Sequence, residues 1–366
     1  MIKRIVVAVC TVVIGGLFLI FGADISAGIR SGISVCGEVV IPSLFPFMIL
    51  AEFVALSGAS DTLSKPISPF TRWLFGLPKV TAAPILLSFI SGYPVGASLA
   101  RRLYDSGKIS RSDAEKMLTF TVNSSPAMLI FAVGMGMLGG KEYGYLLYIV
   151  HILASVLNGI LFSRIILNSG ANRRVEKVNL PTFNAQNTIQ TIGQKSAYGI
   201  TKKDDTPHYN IADAFVTATA DASVSMLKIC GCVILFAGIV ASIKSARILA
   251  LILEVTVGCK VAVNYGIKAI SAVVGFGGIS VIMQVMTVSK GLIRPWILIL
   301  SRITHAAISY GLCSVAISLL PEKTVAVLST GLPQLDSFTS VTAPASAAML
   351  LLAVVVMFSA KIANAR

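Results

Sequence analysis

The side chains of this sequence that could do chemistry lie inside apolar stretches. Glu254 sits in Leu253-Glu254-Val255-Thr256-Val257-Gly258, Asn123-Ser124-Ser125 precedes Pro126, Ser280 and Gln284 are four residues apart, and Arg302 comes three before His305. An ionisable group in a lipid-spanning segment is a functional-site candidate. Glu254 is therefore the candidate ligand for a coupling proton or Na⁺, with an ion pair to Lys260 or Arg302, or a headgroup-level position, as its structural alternative. Asn123, Ser124 and Ser125 offer amide and hydroxyl groups beside a helix break, either to bind a solute or to fasten neighbouring helices. Ser280 and Gln284 share a helix face, as do Arg302 and His305. Arg302 cannot shed its charge by deprotonation. This is the chemistry of binding and carrying a solute. With three histidines, no H-E-x-x-H and no G-x-S-x-G, nothing supports a hydrolase, and the chain is read as a non-enzyme. Cys230-Gly-Cys232 is too tight a spacing, without a nearby histidine, for a metal site, so neither metal nor cofactor is expected.

Two glycine-rich breaks must position these groups. The runs Val80 to Ala100 and Ala269 to Ser289 are free of charge, and each is interrupted, at Ser91-Gly92-Tyr93-Pro94-Val95-Gly96 and at Gly275-Phe276-Gly277-Gly278. A broken helix in lipid leaves backbone groups unpaired, which is tolerated only where protein or a water-filled cavity satisfies them. Paired breaks in two halves of a chain point to a transporter's binding site. Both runs are therefore expected to be re-entrant hairpins, entering from opposite faces of two inverted repeats. Half-helices that begin at such a tip aim a partial positive charge at it, which suits a carboxylate or phosphate. Gly92, Tyr93, Pro94, Gly277 and Gly278 join Asn123, Ser124, Ser125, Ser280, Gln284 and Arg302 as expected substrate-binding residues.

The composition sets these breaks in a bilayer. Of the 366 residues 55% are hydrophobic and 13% charged, and the mean hydropathy is +0.84; the expected fold class is an all-α polytopic membrane protein. The net charge of +14 fits Lys and Arg gathered in cytoplasmic loops, so no nucleic-acid partner is expected. Ile5 to Ala23 is a first span, retained rather than cleaved. Ile33 to Leu56 is a second, kinked by Pro42 and Pro46, with Glu38 and Glu52 bracketing its apolar middle. Met117 to Gly140, Tyr143 to Ser163, Ile229 to Ile243, Pro295 to Pro321 and Ser337 to Ala360 follow as further spans, with Ile248 to Cys259 a short one interrupted by Glu254. The total is about eight crossings. Arg164 to Tyr209 is a polar cytoplasmic link. The six cysteines lie in or beside apolar spans and read as reduced. Association with a second copy is left open.

Ile41-Pro42-Ser43-Leu44-Phe45-Pro46-Phe47, the Gly92 and Asn123 motifs, Gly107-Lys108-Ile109-Ser110, the Glu254 motif and Phe276-Gly277-Gly278-Ile279-Ser280-x-x-x-Gln284 together resemble the sporulation integral membrane protein YlbJ family, within the nucleoside-recognition Gate domain proteins. The resemblance runs from about Gly32 to Gly311. It implies a fold related to concentrative nucleoside transporters, with two inverted repeats at 32–167 and 211–320. An N-terminal helix and link at 1–31, a linker at 168–210 and a C-terminal link and helix at 321–366 complete the organisation. It implies further a small-molecule substrate, such as the aromatic dicarboxylate dipicolinic acid moved during sporulation, or a nucleoside. The alternative of another class is a non-transporting membrane protein of spore assembly.

Overall fold

The computed structural model describes residues 12, 15–16, 18–167, 210–242 and 247–319. Most of the first expected span, the linker from 168 to 209 and the last helix, Ser337 to Ala360, lie outside the described residues.

Helices α1 (Gly22–Val35) and α2 (Ile41–Leu56) are joined by a π-helical turn, Cys36–Val40, and bend by 52° about it. The bend falls on the turn just before Pro42, whose missing donor and ring leave the Glu38 carbonyl without its helical partner. α3 (Ala59–Phe75) is amphipathic, with Phe70 and Trp73 exposed. α4 (Ala82–Ser91) and α5 (Tyr93–Asp105) follow, and the chain turns between them at Gly92, whose φ of 92° and ψ of 173° a side chain would resist. α4 and α5 pack against each other, and the Ala83 N–H donates to Ser64 Oγ of α3 at 3.1 Å.

A capping box between Ser110 and Asp113 starts α6 (Arg111–Leu118). Thr121–Ser125 then has no regular secondary structure and is wholly buried, and helix resumes at Pro126 and runs on as α7 (Met128–Leu138). The expected crossing Met117 to Gly140 is thus two helices about an unwound segment. α8 (Lys141–Ile166) and α9 (Ile211–Ser242) are uninterrupted. α10 (Arg247–Leu253) and α11 (Val255–Ala262) fold back on one another about Glu254; a Cβ on Gly258 would come within 2.9 Å of Ala250 O. α12 (Ile267–Phe276) and α13 (Gly278–Ser289) meet at Gly277, and α14 (Pro295–Ser318) ends the described chain.

One expectation is corrected. The run Ala269 to Ser289 does not return as a hairpin: α12 and α13 follow end to end as one apolar element of 23 residues, with α13 packed on α5 and α12 on α14. The second return lies earlier, at Glu254, where the carboxylate caps α11 and Gly258 lets the arms close. Among the described residues four helices are long and apolar enough to cross a membrane (α8, α9, α12 with α13, and α14), or up to six if two bent pairs each count as one. Several half-length helices replace expected spans, and two expected spans fall outside the description.

The ends of the bundle are fixed by polar ties. Arg111 Nη2 donates to Gly291 O at 2.8 Å, and Arg294 makes a two-pronged contact with Glu115 at 2.9 and 2.8 Å. Those bonds raise the Arg294 guanidinium's hold on its proton. Arg164 at the end of α8 donates to the last carbonyls of α3, those of Arg72, Trp73 and Leu74. The ends of α5 and α13 and the starts of α6 and α14 therefore share one basic end.

Candidate functional site

The four interruptions meet inside the bundle. Tyr93, first residue of α5 and 5% exposed, donates its hydroxyl proton to Val274 O of α12 at 3.0 Å. A Cβ on Gly277 would touch the Tyr93 ring at 3.4 Å. Gly96, one turn along α5, lies directly on the Thr121 carbonyl of the unwound segment. A Cβ on Gly92 would lie 3.7 Å from the Ser125 Cβ, and one on Gly278, whose φ is 85°, 3.1 Å from Leu253 O and 3.2 Å from Glu254. Gly96 and Gly278 let backbone approach backbone, while Gly92 and Gly277 make room for neighbouring side chains.

Each opened backbone group needs a partner, and several find one nearby. Arg302, fully buried, donates from Nη1 to Val122 O at 2.6 Å and from Nη2 to Thr119 O at 2.8 Å. Asn158 Nδ2 reaches Thr119 O and Ser301 O at 2.9 and 3.1 Å, and Thr304 donates to Asn158 Oδ1 at 2.6 Å. Ser155 and Asn123 both donate to Phe120 O. The Ser124 N–H donates to His151 Nε2 at 3.0 Å, which puts the His151 proton on Nδ1. His305 stacks on His151 with centroids 4.7 Å apart, and its Nε2 donates to His151 O. Ser125 Oγ accepts from Met128 N and so caps the resumed helix; Glu254 caps α11 through the Val257 N–H at 2.8 Å.

Of the residues expected from sequence, Gly92, Tyr93, Asn123, Ser124, Ser125, Glu254, Gly277, Gly278 and Arg302 are linked by these contacts. Pro94 is buried in the first turn of α5, and Ser280 and Gln284 are buried on α13. Arg302 spends two of its donors on protein carbonyls, and Glu254 one oxygen on a cap. Several buried atoms have no hydrogen-bond partner among the described residues: Asn123 Oδ1, Ser280 Oγ, Arg302 Nε and the Nδ1 atoms of His151 and His305. His151, Ser155 and Asn158 were not among the expected site residues. Their spacing along one face of an otherwise apolar helix is the signal that could have found them. Among the described residues no three His, Cys, Asp or Glu side chains form a metal-ligand group.

Beside this junction is a cavity of about 710 Å³. Ala127 and Thr256, in the first turns of the resumed helix and of α11, line it, with Phe47 and Phe131 as aromatic walls and Ser43, Glu38 and Lys260 as polar ones.

A family model described as nucleoside recognition (Gate) matches residues 38–141. The region holds α4, α5, the unwound segment and α7, and stops short of Glu254 and Gly277. The sporulation integral membrane protein YlbJ of Bacillus subtilis (strain 168) is 35% identical over 131 residues, 36% of this chain and 32% of that protein. The chain thus spans about a third of the relative's length. No solved structure matches. Residues 38–141 thus match the nucleoside-recognition (Gate) family model, in a multi-pass membrane protein that is similar over about a third of its length to the sporulation integral membrane protein YlbJ.

Proposed function

We propose that the chain is a membrane transporter of a small polar solute, which binds where the four interruptions meet. The observation that carries this reading is the convergence of four helix starts, at Tyr93, Pro126, Val255 and Gly278, next to a cavity of about 710 Å³. A helix start favours an anion. The unpartnered atoms of Asn123, Ser280, Arg302 and the two histidines supply donors and acceptors of the kind a polar ligand takes up.

Two inverted repeats account for the helix order once the pairing is shifted. The return α4–α5 corresponds to α10–α11, the interrupted pair α6 and α7 to α12 and α13, and α8 to α14. The returns then enter the bilayer from opposite faces and the interrupted pairs cross it. The basic end, with Arg72, Arg111, Arg164 and Arg294, is cytoplasmic by the positive-inside tendency. On this reading the cavity, with Lys260 in its wall, opens toward the other face. The membrane is a bacterial cell membrane or one around the forespore.

For the solute we favour an anionic aromatic such as dipicolinic acid, which the aromatic walls and the converging helix starts suit; a nucleoside is the alternative that the matched family's description favours. Glu254 is the candidate site for a coupling H⁺ or Na⁺. Uptake of labelled dipicolinate and of uridine into vesicles of purified protein tests the reading. Dipicolinate uptake that Ser280→Ala weakens and Gly278→Leu abolishes is expected. Uridine uptake alone would replace the substrate, and uptake of neither by folded protein at either sign of membrane potential would favour the spore-assembly scaffold.

A further inference from the structure

A second buried carboxylate lies outside this junction. Glu52, on α2, is 4% exposed. One carboxylate oxygen accepts from Ser98 Oγ at 3.0 Å and the other lies 2.8 Å from Arg102 Nη2; both partners are on α5, four residues apart. The same Arg102 nitrogen lies 2.7 Å from Asp221 Oδ2 of α9, a carboxylate that is about half exposed. Arg101, next along α5, is occupied by Asp105 at 2.7 Å. One guanidinium nitrogen thus faces two carboxylates, from α2 and from α9, two helices that also pack on each other, beside the arm that carries Tyr93 and Gly96 into the junction.

A buried carboxylate keeps its charge only while paired and hydrogen-bonded. If Glu52 takes a proton, its ion pair with Arg102 is lost, yet Ser98 still has an oxygen to donate to and Arg102 still has Asp221. The arm then loses its ionic tie to α2 and keeps only the Ser98 hydrogen bond to Glu52 there, while its ionic contact with α9 stays. The tip keeps a separate hold on α2 through Ser91 Oγ, which donates to Phe47 O at 3.3 Å, so the release is local to the outer turns of α5.

We propose that Glu52 is a proton-binding site that ties α5 to α2 ionically through Arg102 when ionised and loosens that tie when protonated. As a coupling site it rests on the transport reading, and it is distinct from Glu254, whose carboxylate caps α11. The release itself can be measured without any solute. Hydrogen exchange of the full chain in detergent, corrected for the intrinsic pH dependence of exchange, is followed over residues 93–105 from pH 8 to pH 4.5. Exchange about tenfold faster at the acid end is expected, the loss of one charge-assisted contact. Glu52→Gln should exchange at the fast rate at every pH, and Asp221→Asn should keep the pH response. A wild-type arm with no pH response, or one whose response survives Glu52→Gln, would overturn the proposal. A response abolished by Asp221→Asn alone would move the proton to Asp221 and overturn it equally. Absence of solute uptake would refute transport but leave this result standing.

Discussion

The two glycine breaks, at Gly92 and at Gly277, look alike in sequence and behave differently in the molecule. Both interrupt charge-free runs, and both runs are flanked by basic residues, Lys79 and Arg101 in one case and Lys268 and Lys290 in the other. Yet α4 and α5 pack side by side about Gly92, whereas α12 and α13 follow one another through Gly277. A left-handed glycine permits a change of direction without dictating its size. The size is set by whether the two arms can lie against each other and what else competes for their faces. α13 finds a partner in α5, and α12 in α14, so neither has a face left for the other. At Glu254 a carboxylate caps the returning helix and Gly258 removes the side chain that would hold the arms apart. There the chain does return.

If the return at Gly92 depends on its seat against the unwound segment, Gly96→Val should have the largest effect. Its added carbons would fall on the Thr121 carbonyl, which is backbone and cannot swing away. A loss of more than about 3 kcal/mol is expected, seen as failure to recover monodisperse protein. Arg302→Met removes the donors from Val122 O and Thr119 O and should cost about 3 kcal/mol; Arg302→Lys should recover part of that in thermal melting. Gly278→Ala bears on the bend at Gly277 and should cost about 2 kcal/mol, from its left-handed φ and the tight approach to Leu253 O. An equal or larger loss than for Gly96→Val would mean that the bend, not the return, is the more tightly determined of the two. Glu254→Gln keeps an oxygen for the Val257 N–H and should cost less than about 1 kcal/mol, while abolishing coupled uptake; unchanged uptake and ion dependence would remove Glu254 from the mechanism.

Much of this was legible in the sequence. The membrane class followed from composition, and the breaks at Gly92, Pro126, Glu254 and Gly277 each showed as a glycine cluster, a proline or a charge in an apolar run. Which break is a return and which a bend was not legible. That is decided by long-range packing: Gly258 against Ala250, Gly96 against Thr121, α13 against α5. The candidate side chains were found by their polarity, but their partners were not. Arg302 reads in sequence as a cation for an anionic solute, and only the fold reveals that its guanidinium also holds the carbonyls of a segment about 180 residues away. Glu52 drew no notice beyond bracketing an apolar stretch, because its partners Ser98, Arg102 and Asp221 come from two other helices.

The most direct test of opposed returns meeting at one junction is the side from which their outer ends are labelled. Single cysteines at Pro78, Ser106, Gly266 and Lys290, in a background lacking the native cysteines, would be reacted with an impermeant thiol reagent from each face of sealed vesicles. Pro78, Ser106 and Lys290 should label from the cytoplasmic face, and Gly266 from the opposite face. Labelling of Gly266 and Lys290 from the same side would make the run through Gly277 a hairpin after all and contradict the arrangement on which the proposed site is built.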